Sequence, residues 1–176
     1  MNFLANLHMH LTNLANFNGR ETRAQFWPWV GVLVASVMIV SMLIMSQLVM
    51  PVMLTAVSVE DITGAMTGFT IAMACIGGVA VVLLASAVAR RLHDAGKPVW
   101  IGLLPLPFLA FGLFWFMRII STMFVADEMG SEYMSSFMLG FFNNIVYMGT
   151  LVFLVVCLAQ GSEPCENRHG PQPRSA

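Results

Sequence analysis

Four stretches of this chain, residues 26–50, 69–89, 99–117 and 137–159, are apolar for so long that one solution is open to each. About 20 apolar residues in a helix, at 1.5 Å per residue, match the ~30 Å of hydrocarbon in a bilayer. Inside hydrocarbon the backbone polar groups must be paired within the segment, so each run is expected to become a membrane-spanning helix. Composition excludes the soluble alternative. Of 176 residues, 58% are hydrophobic and 10% charged, whereas soluble domains carry about 25% charged residues. The expected fold is an all-α integral membrane protein with four transmembrane helices. The third run is the least regular, because Pro105 and Pro107 each lack a backbone donor. A kink there, or an extension past Arg118 toward Val125, fits the pattern.

Charge placement sets the expected topology. The connection 51–68 carries Glu60 and Asp61 and no basic residue. Residues 90–97 carry Arg90, Arg91 and Lys97 against Asp94. Residues 118–136 carry Arg118 against Asp127, Glu128 and Glu132. Arg20 and Arg23 precede the first run, and Arg168 and Arg174 follow the last. Basic residues therefore alternate between sides, and the positive-inside rule places both termini in the cytoplasm. The three polar stretches 17–27, 89–97 and 166–173 then share one face. A net charge of −1 implies no nucleic-acid partner.

Ahead of the first span, Phe3, Leu7, Leu11 and Leu14 recur at helical spacing, with Asn6, Asn13 and Asn16 largely off that stripe. Residues 1–16 are expected to form an amphipathic interfacial helix. Residues 17–160 would form the transmembrane domain and 161–176 a cytoplasmic tail. Asn18-Gly19 is a turn signal, and Thr22-x-x-Gln25 reads as a capping box opening the first span. Arg90, Arg91 and His93 fall in the last turn of the second span, where the helix dipole favours cations. Gly96 suits the position just past that helix, and Pro98 the start of the next. Arg90 and Asp94, four apart, are within pairing reach, in the less favourable order. Thr70, Ala74 and Gly78, and likewise Gly31 and Ala35, form small-residue faces suited to helix contacts. Cys75 and Cys157 read as buried small hydrophobes.

With those residues in place, the chain resembles a known family. Phe17, Gly19, Arg20, Arg23, Phe26 and Trp27 form one motif. Arg90 to Asp94 with Gly96 and Lys97 form a second, and Asn167, Arg168, Gly170, Pro171 and Pro173 a third. Three motifs in this order resemble the bacterial inner-membrane family known as domain of unknown function 805, over about residues 10–173. The chain departs at Pro98, where the family often has a small polar residue, and in its longer connection 118–136. The resemblance implies fold and a bacterial inner (plasma) membrane location. It carries no activity.

Three functions compete. Arg20, Arg23, Arg90, Arg91, His93, Asp94, Lys97 and Arg168 would form a cytoplasmic-face cluster able to bind anionic lipid or phosphate, since arginine forks suit phosphate. The same charges equally serve topology and loop packing alone. A small oligomeric transporter or channel would use the proline-broken third span, yet no ionisable residue lies mid-span, where proton and ion pathways usually carry one. Catalysis through His93 and Asp94 lacks a nucleophile motif, and helix neighbours point about 100° apart. His93 with His169 is weak as a metal pair. The sequence thus favours a non-enzymatic structural or interaction protein without cofactor or metal. Its expected partners are membrane lipids, a second copy or other membrane proteins.

Overall fold

Six α-helices and two tighter or wider turns occur among the described residues. The computed structural model describes residues 2–55, 58–125, 131–167 and 170, and only the backbone at 120–125, 131 and 132. The helices are α1 (Phe3–Thr12), α2 (Arg23–Ile44), α3 (Met50–Thr55), α4 (Val59–Asp94), α5 (Pro105–Val125) and α6 (Ser131–Ala159). A π-helical turn, Met45–Val49, joins α2 to α3 without a break, and a 3-10 turn, Val99–Leu103, precedes α5. No strand occurs among the described residues. Four helical segments are long and apolar enough to cross a membrane: Arg23–Thr55, Val59–Asp94, Val99–Ile119 and Tyr133–Ala159. The chain is a multi-pass membrane protein.

The boundaries show where local chemistry acts. α4 begins ten residues before the expected 69. Ser58 caps it: the Ser58 hydroxyl accepts from Asp61 N at 3.2 Å, while the Asp61 carboxylate accepts from Ser58 N at 3.1 Å. This reciprocal box was not read from the sequence, because it lies in a polar connection rather than at the edge of an apolar run. Its consequence is geometric. Asp61 and Arg90 stand 29 positions apart on α4, about 43 Å of helix, which matches a bilayer with its headgroups (about 40–45 Å). The charged ends of α4 thus reach the polar layers.

The two prolines of the third span sit at the first and third positions of α5, where the helix has no N–H partners to lose. The irregularity falls just before them, in the 3-10 turn, and α5 continues to Val125. Pro51 acts differently. Within a helix it supplies no N–H and crowds the carbonyl four residues back. The backbone widens immediately ahead of it, and Met50 N donates to Met45 O, five residues back.

The chain divides into two compact units. The first comprises Met1–Ser36, Gly78–Pro105 and Thr150–Ala176, the second Val37–Gly77 and Leu106–Gly149. The core of the first unit joins Phe26, Trp29 and Leu33 of α2 to Ala87 and Leu92 of α4, Ile101, and Leu154, Cys157 and Leu158 of α6. The α2 positions are three and four apart and define its buried face. Gly31 and Ala35 lie off that face and are exposed, contrary to the expected small-residue contact. Gly78 is exposed as well, whereas Thr70 is buried. Cys157 is buried as expected, but Cys75 is exposed.

α1 forms as expected but turns a different face inward. Asn6 and His10 are its buried residues, Leu7 and Leu14 pack on the core, and Phe3 and Leu11 are more than half exposed. The face turned to the protein is thus set by polar partners described below, and the stripe members Phe3 and Leu11 stay on the outer surface. Replacing Ser58 by Ala should cost about 1 kcal/mol of local stability. Hydrogen exchange should then quicken at residues 59–61 and stay unchanged at 85–92.

Candidate functional site: a buried ion-pair network

The polar stretches meet inside the first unit. The turn between α1 and α2 uses Gly19 at φ +95°, a backbone region that favours glycine, and it points Arg20 and Glu21 toward the end of α4. That end is closed by a Schellman motif: Gly96 at φ +65°, Gly96 N donating to His93 O at 3.2 Å, and Lys97 N to Leu92 O at 2.8 Å. A Cβ on Gly96 would also come within 3.1 Å of Glu163 Oε2. Pro98 is the residue before the 3-10 turn rather than its first member.

Arg91 lies at the centre with no exposed surface. Its Nε donates to Leu158 O at 2.9 Å, one terminal nitrogen to Asp94 Oδ2 at 2.5 Å, and the other to Gln160 O. Asp94 is equally buried. Its second oxygen accepts from Arg20 Nε at 3.1 Å, and Ser162 Oγ donates to Oδ2 at 2.5 Å. Arg20 spans further, donating to Cys165 O at 2.9 Å and Glu163 O at 2.6 Å. One planar guanidinium with five donors suits several fixed carbonyls better than an ammonium would.

A second centre adjoins the first. Arg90 donates from Nε to Glu21 Oε2 at 3.0 Å, with Nη2 at the same distance in the ion pair, and from Nη1 to Asn13 O and Asn16 O at 3.2 and 2.5 Å. The other Glu21 oxygen stands 2.7 Å from His10 Nε2, and His10 Nδ1 stands 2.9 Å from Asn6 O. Both ring nitrogens of His10 face acceptors. The His10 ring stacks on Trp29 at 5.1 Å, and Asn6 Nδ2 donates to Gln25 O at 3.0 Å. Asn6 Oδ1 is the buried side-chain acceptor left without a partner among the described residues. Gln25 does reach back to Thr22 N at 3.0 Å, but the Thr22 hydroxyl also donates to Gln25 Oε1, so half of the expected capping box forms.

Of the residues singled out by sequence, Arg20, Arg90, Arg91, His93 and Asp94 are brought together here. His93 Nδ1 stands 3.2 Å from Gly19 O, and Asn167 Nδ2 donates to His93 O at 3.1 Å. The Arg90–Asp94 pair within local reach is replaced: Asp94 takes Arg20 and Arg91, and Arg90 takes Glu21. A long-range carboxylate can approach a guanidinium head-on, whereas the i,i+4 partner must lie along the helix. Arg23 is exposed and Lys97 half-buried, and neither side chain makes an ion pair among the described residues. Arg168 and His169 lie outside the described residues. Among those described, no three His, Cys, Asp or Glu side chains cluster as a metal site.

Sequence reasoning missed Glu21, His10, Ser162 and the carbonyls of 158–165. Glu21 was visible as the lone acid among the arginines of stretch 17–27, and His10 follows Asn6 at helical spacing. The carbonyl acceptors have no side-chain signature.

Four apolar spans and an internal network that ties both terminal segments to one helix end define a multi-pass membrane protein with a polar clamp. The family model described as protein of unknown function (DUF805) matches residues 14–171, and the chain belongs to that family. No curated protein and no solved structure matches it.

Replacing Arg91 by Met removes one of the two guanidiniums on buried Asp94 and the donors to Leu158 O and Gln160 O, and should cost about 3–5 kcal/mol. Arg91→Lys should recover only part of this, since an ammonium cannot fork to Leu158 O and Asp94 together. Equilibrium unfolding in mild detergent reads both. Gly96→Ala should lower stability by about 1–2 kcal/mol in the same assay, from left-handed strain alone.

Proposed function

We propose that this chain is a non-enzymatic membrane protein with a structural or interaction role, whose clamped polar end docks anionic groups. The observation that carries the reading is a charge imbalance. Three guanidiniums, Arg20, Arg90 and Arg91, face two buried carboxylates, Glu21 and Asp94. A fourth guanidinium, Arg23, is exposed and makes no ion pair among the described residues, so its charge is open to an anion.

Roles within the cluster then separate. Arg20, Arg90 and Arg91 are saturated by carboxylates and carbonyls and hold the shape. Arg23 and Lys97 make no ion pair among the described residues and supply the outward charge. The shared chemistry of the ligand is a phosphate group, from a phospholipid head or from free phosphate. On this reading the polar end faces the cytoplasm of a bacterium, with the spans in its inner membrane and both termini inside.

Native mass spectrometry of protein from nanodiscs tests this. Wild type should retain phosphatidylglycerol over phosphatidylcholine, and Arg23→Gln with Lys97→Gln should weaken retention roughly 30-fold, at ~1 kcal/mol per basic residue. Loss of adducts on adding inorganic phosphate would identify free phosphate as sufficient. Equal retention by wild type and the double variant would sink the docking role. An Arg90→Gln/Arg91→Gln variant should instead lose folded protein.

A further inference from the structure

The second unit holds a feature that the polar clamp does not explain. α5 and α6 are tied together twice by side chains reaching backbone carbonyls. Trp115 Nε1 donates to Ser136 O at 2.7 Å, and Asn143 Nδ2 donates to Phe108 O at 3.0 Å. The two bonds lie seven residues apart on each helix, about two turns. Glycines permit the approach. A Cβ on Gly112 would meet Asn143 Nδ2 at 3.1 Å, and one on Gly140 would meet Ile119 and Trp115 side-chain atoms at 3.1 and 3.2 Å.

Along this seam opens a cleft of about 450 Å³, lined by Phe108, Phe116, Phe137 and Phe141 with Asn144 and other residues of the same two helices. That volume lies within the usual range for small-molecule sites. No charged side chain lines it. Asn144 decides its meaning. The side chain is exposed and makes no hydrogen bond to any described residue. It stands 13 positions from the start of α6 and 15 from its end, so about 20 Å of helix lies on either side. At that depth there is no water for an amide. An acyl chain lying in the cleft leaves both its donor and its acceptor unmatched, at a cost of a few kcal/mol.

We propose that the α5–α6 cleft is a binding site for a neutral, membrane-soluble amphiphile: an apolar body against the phenylalanines, and one hydroxyl or carbonyl on the Asn144 amide. Neutrality follows from the uncharged lining, and the hydrogen-bonding head from the unmatched amide. Concavity favours a small molecule over a second copy, because a helix face laid across the mouth would leave the space behind it unfilled. The site is independent of the anionic docking proposed above, since its residues belong to the other unit.

Photolabelling with a diazirine-bearing hexadecanol, on full-length protein in phosphatidylcholine nanodiscs, tests the site. Saturable labelling should map to residues 108–119 and 137–147, and unlabelled hexadecanol should compete. Asn144→Leu removes the amide while keeping the bulk, and should weaken saturable labelling about tenfold. Leu109→Trp, which fills the cleft without touching the amide, should block it. Palmitate at neutral pH should compete poorly, since nothing in the cleft balances its charge. Equal labelling of wild type and Asn144→Leu, or labelling spread without saturation over all four spans, would overturn the proposal. So would conversion of a dimer to a monomer in Asn144→Leu with labelling unchanged, which would assign the amide to a second copy.

Discussion

A guanidinium with no exposed surface needs acceptors on every side, and the first unit is organised around meeting that need for Arg91. Asp94 supplies the countercharge from the next turn of the same helix. The remaining acceptors are backbone carbonyls at and beyond the C-terminus of α6, where a helix always leaves carbonyls without internal partners. Two deficits cancel: the helix end has spare acceptors and the arginine has spare donors. The same exchange recurs with Arg90 and the carbonyls after α1, and with Arg20 and the tail. Such networks contribute little net stability compared with apolar packing, but breaking one member is costly. Their effect is to fix which segments meet.

The spans were legible because hydrocarbon imposes one rule on all of them. The apolar runs, the Gly96 cap, the glycine turn at Gly19 and the convergence of the polar stretches follow from residue type and spacing. What was not legible depends on distance. Asp94 has an attractive neighbour four residues back in Arg90, and local spacing pairs them. The fold brings Arg20, 74 residues away, and that contact has no trace in a periodicity. α1 shows the same limit of local pattern: its apolar stripe is visible in the sequence, whereas the contact of His10 with the Glu21 carboxylate across a turn is not.

The two units solve the packing problem with different chemistry. The first uses charge and backbone carbonyls around a small aromatic core of Phe26 and Trp29. The second uses glycines and stacked rings such as Phe111 on Trp115, at 5.3 Å. The latter suits hydrocarbon, where association rests on close contact and on few hydrogen bonds. An amide such as Asn144 is conspicuous in that setting because its surroundings offer so few alternatives.

The clamp also has a direction in time. The carbonyls that saturate Arg91 and Arg20 belong to residues 158–165, the last turn of the fourth span and the tail, which are made last. Before they are made, Arg91 has Asp94 but lacks the carbonyls that take its other donors. Closure joins a turn made early to a tail made late. A chain that stops short of the tail keeps every span and loses the lock.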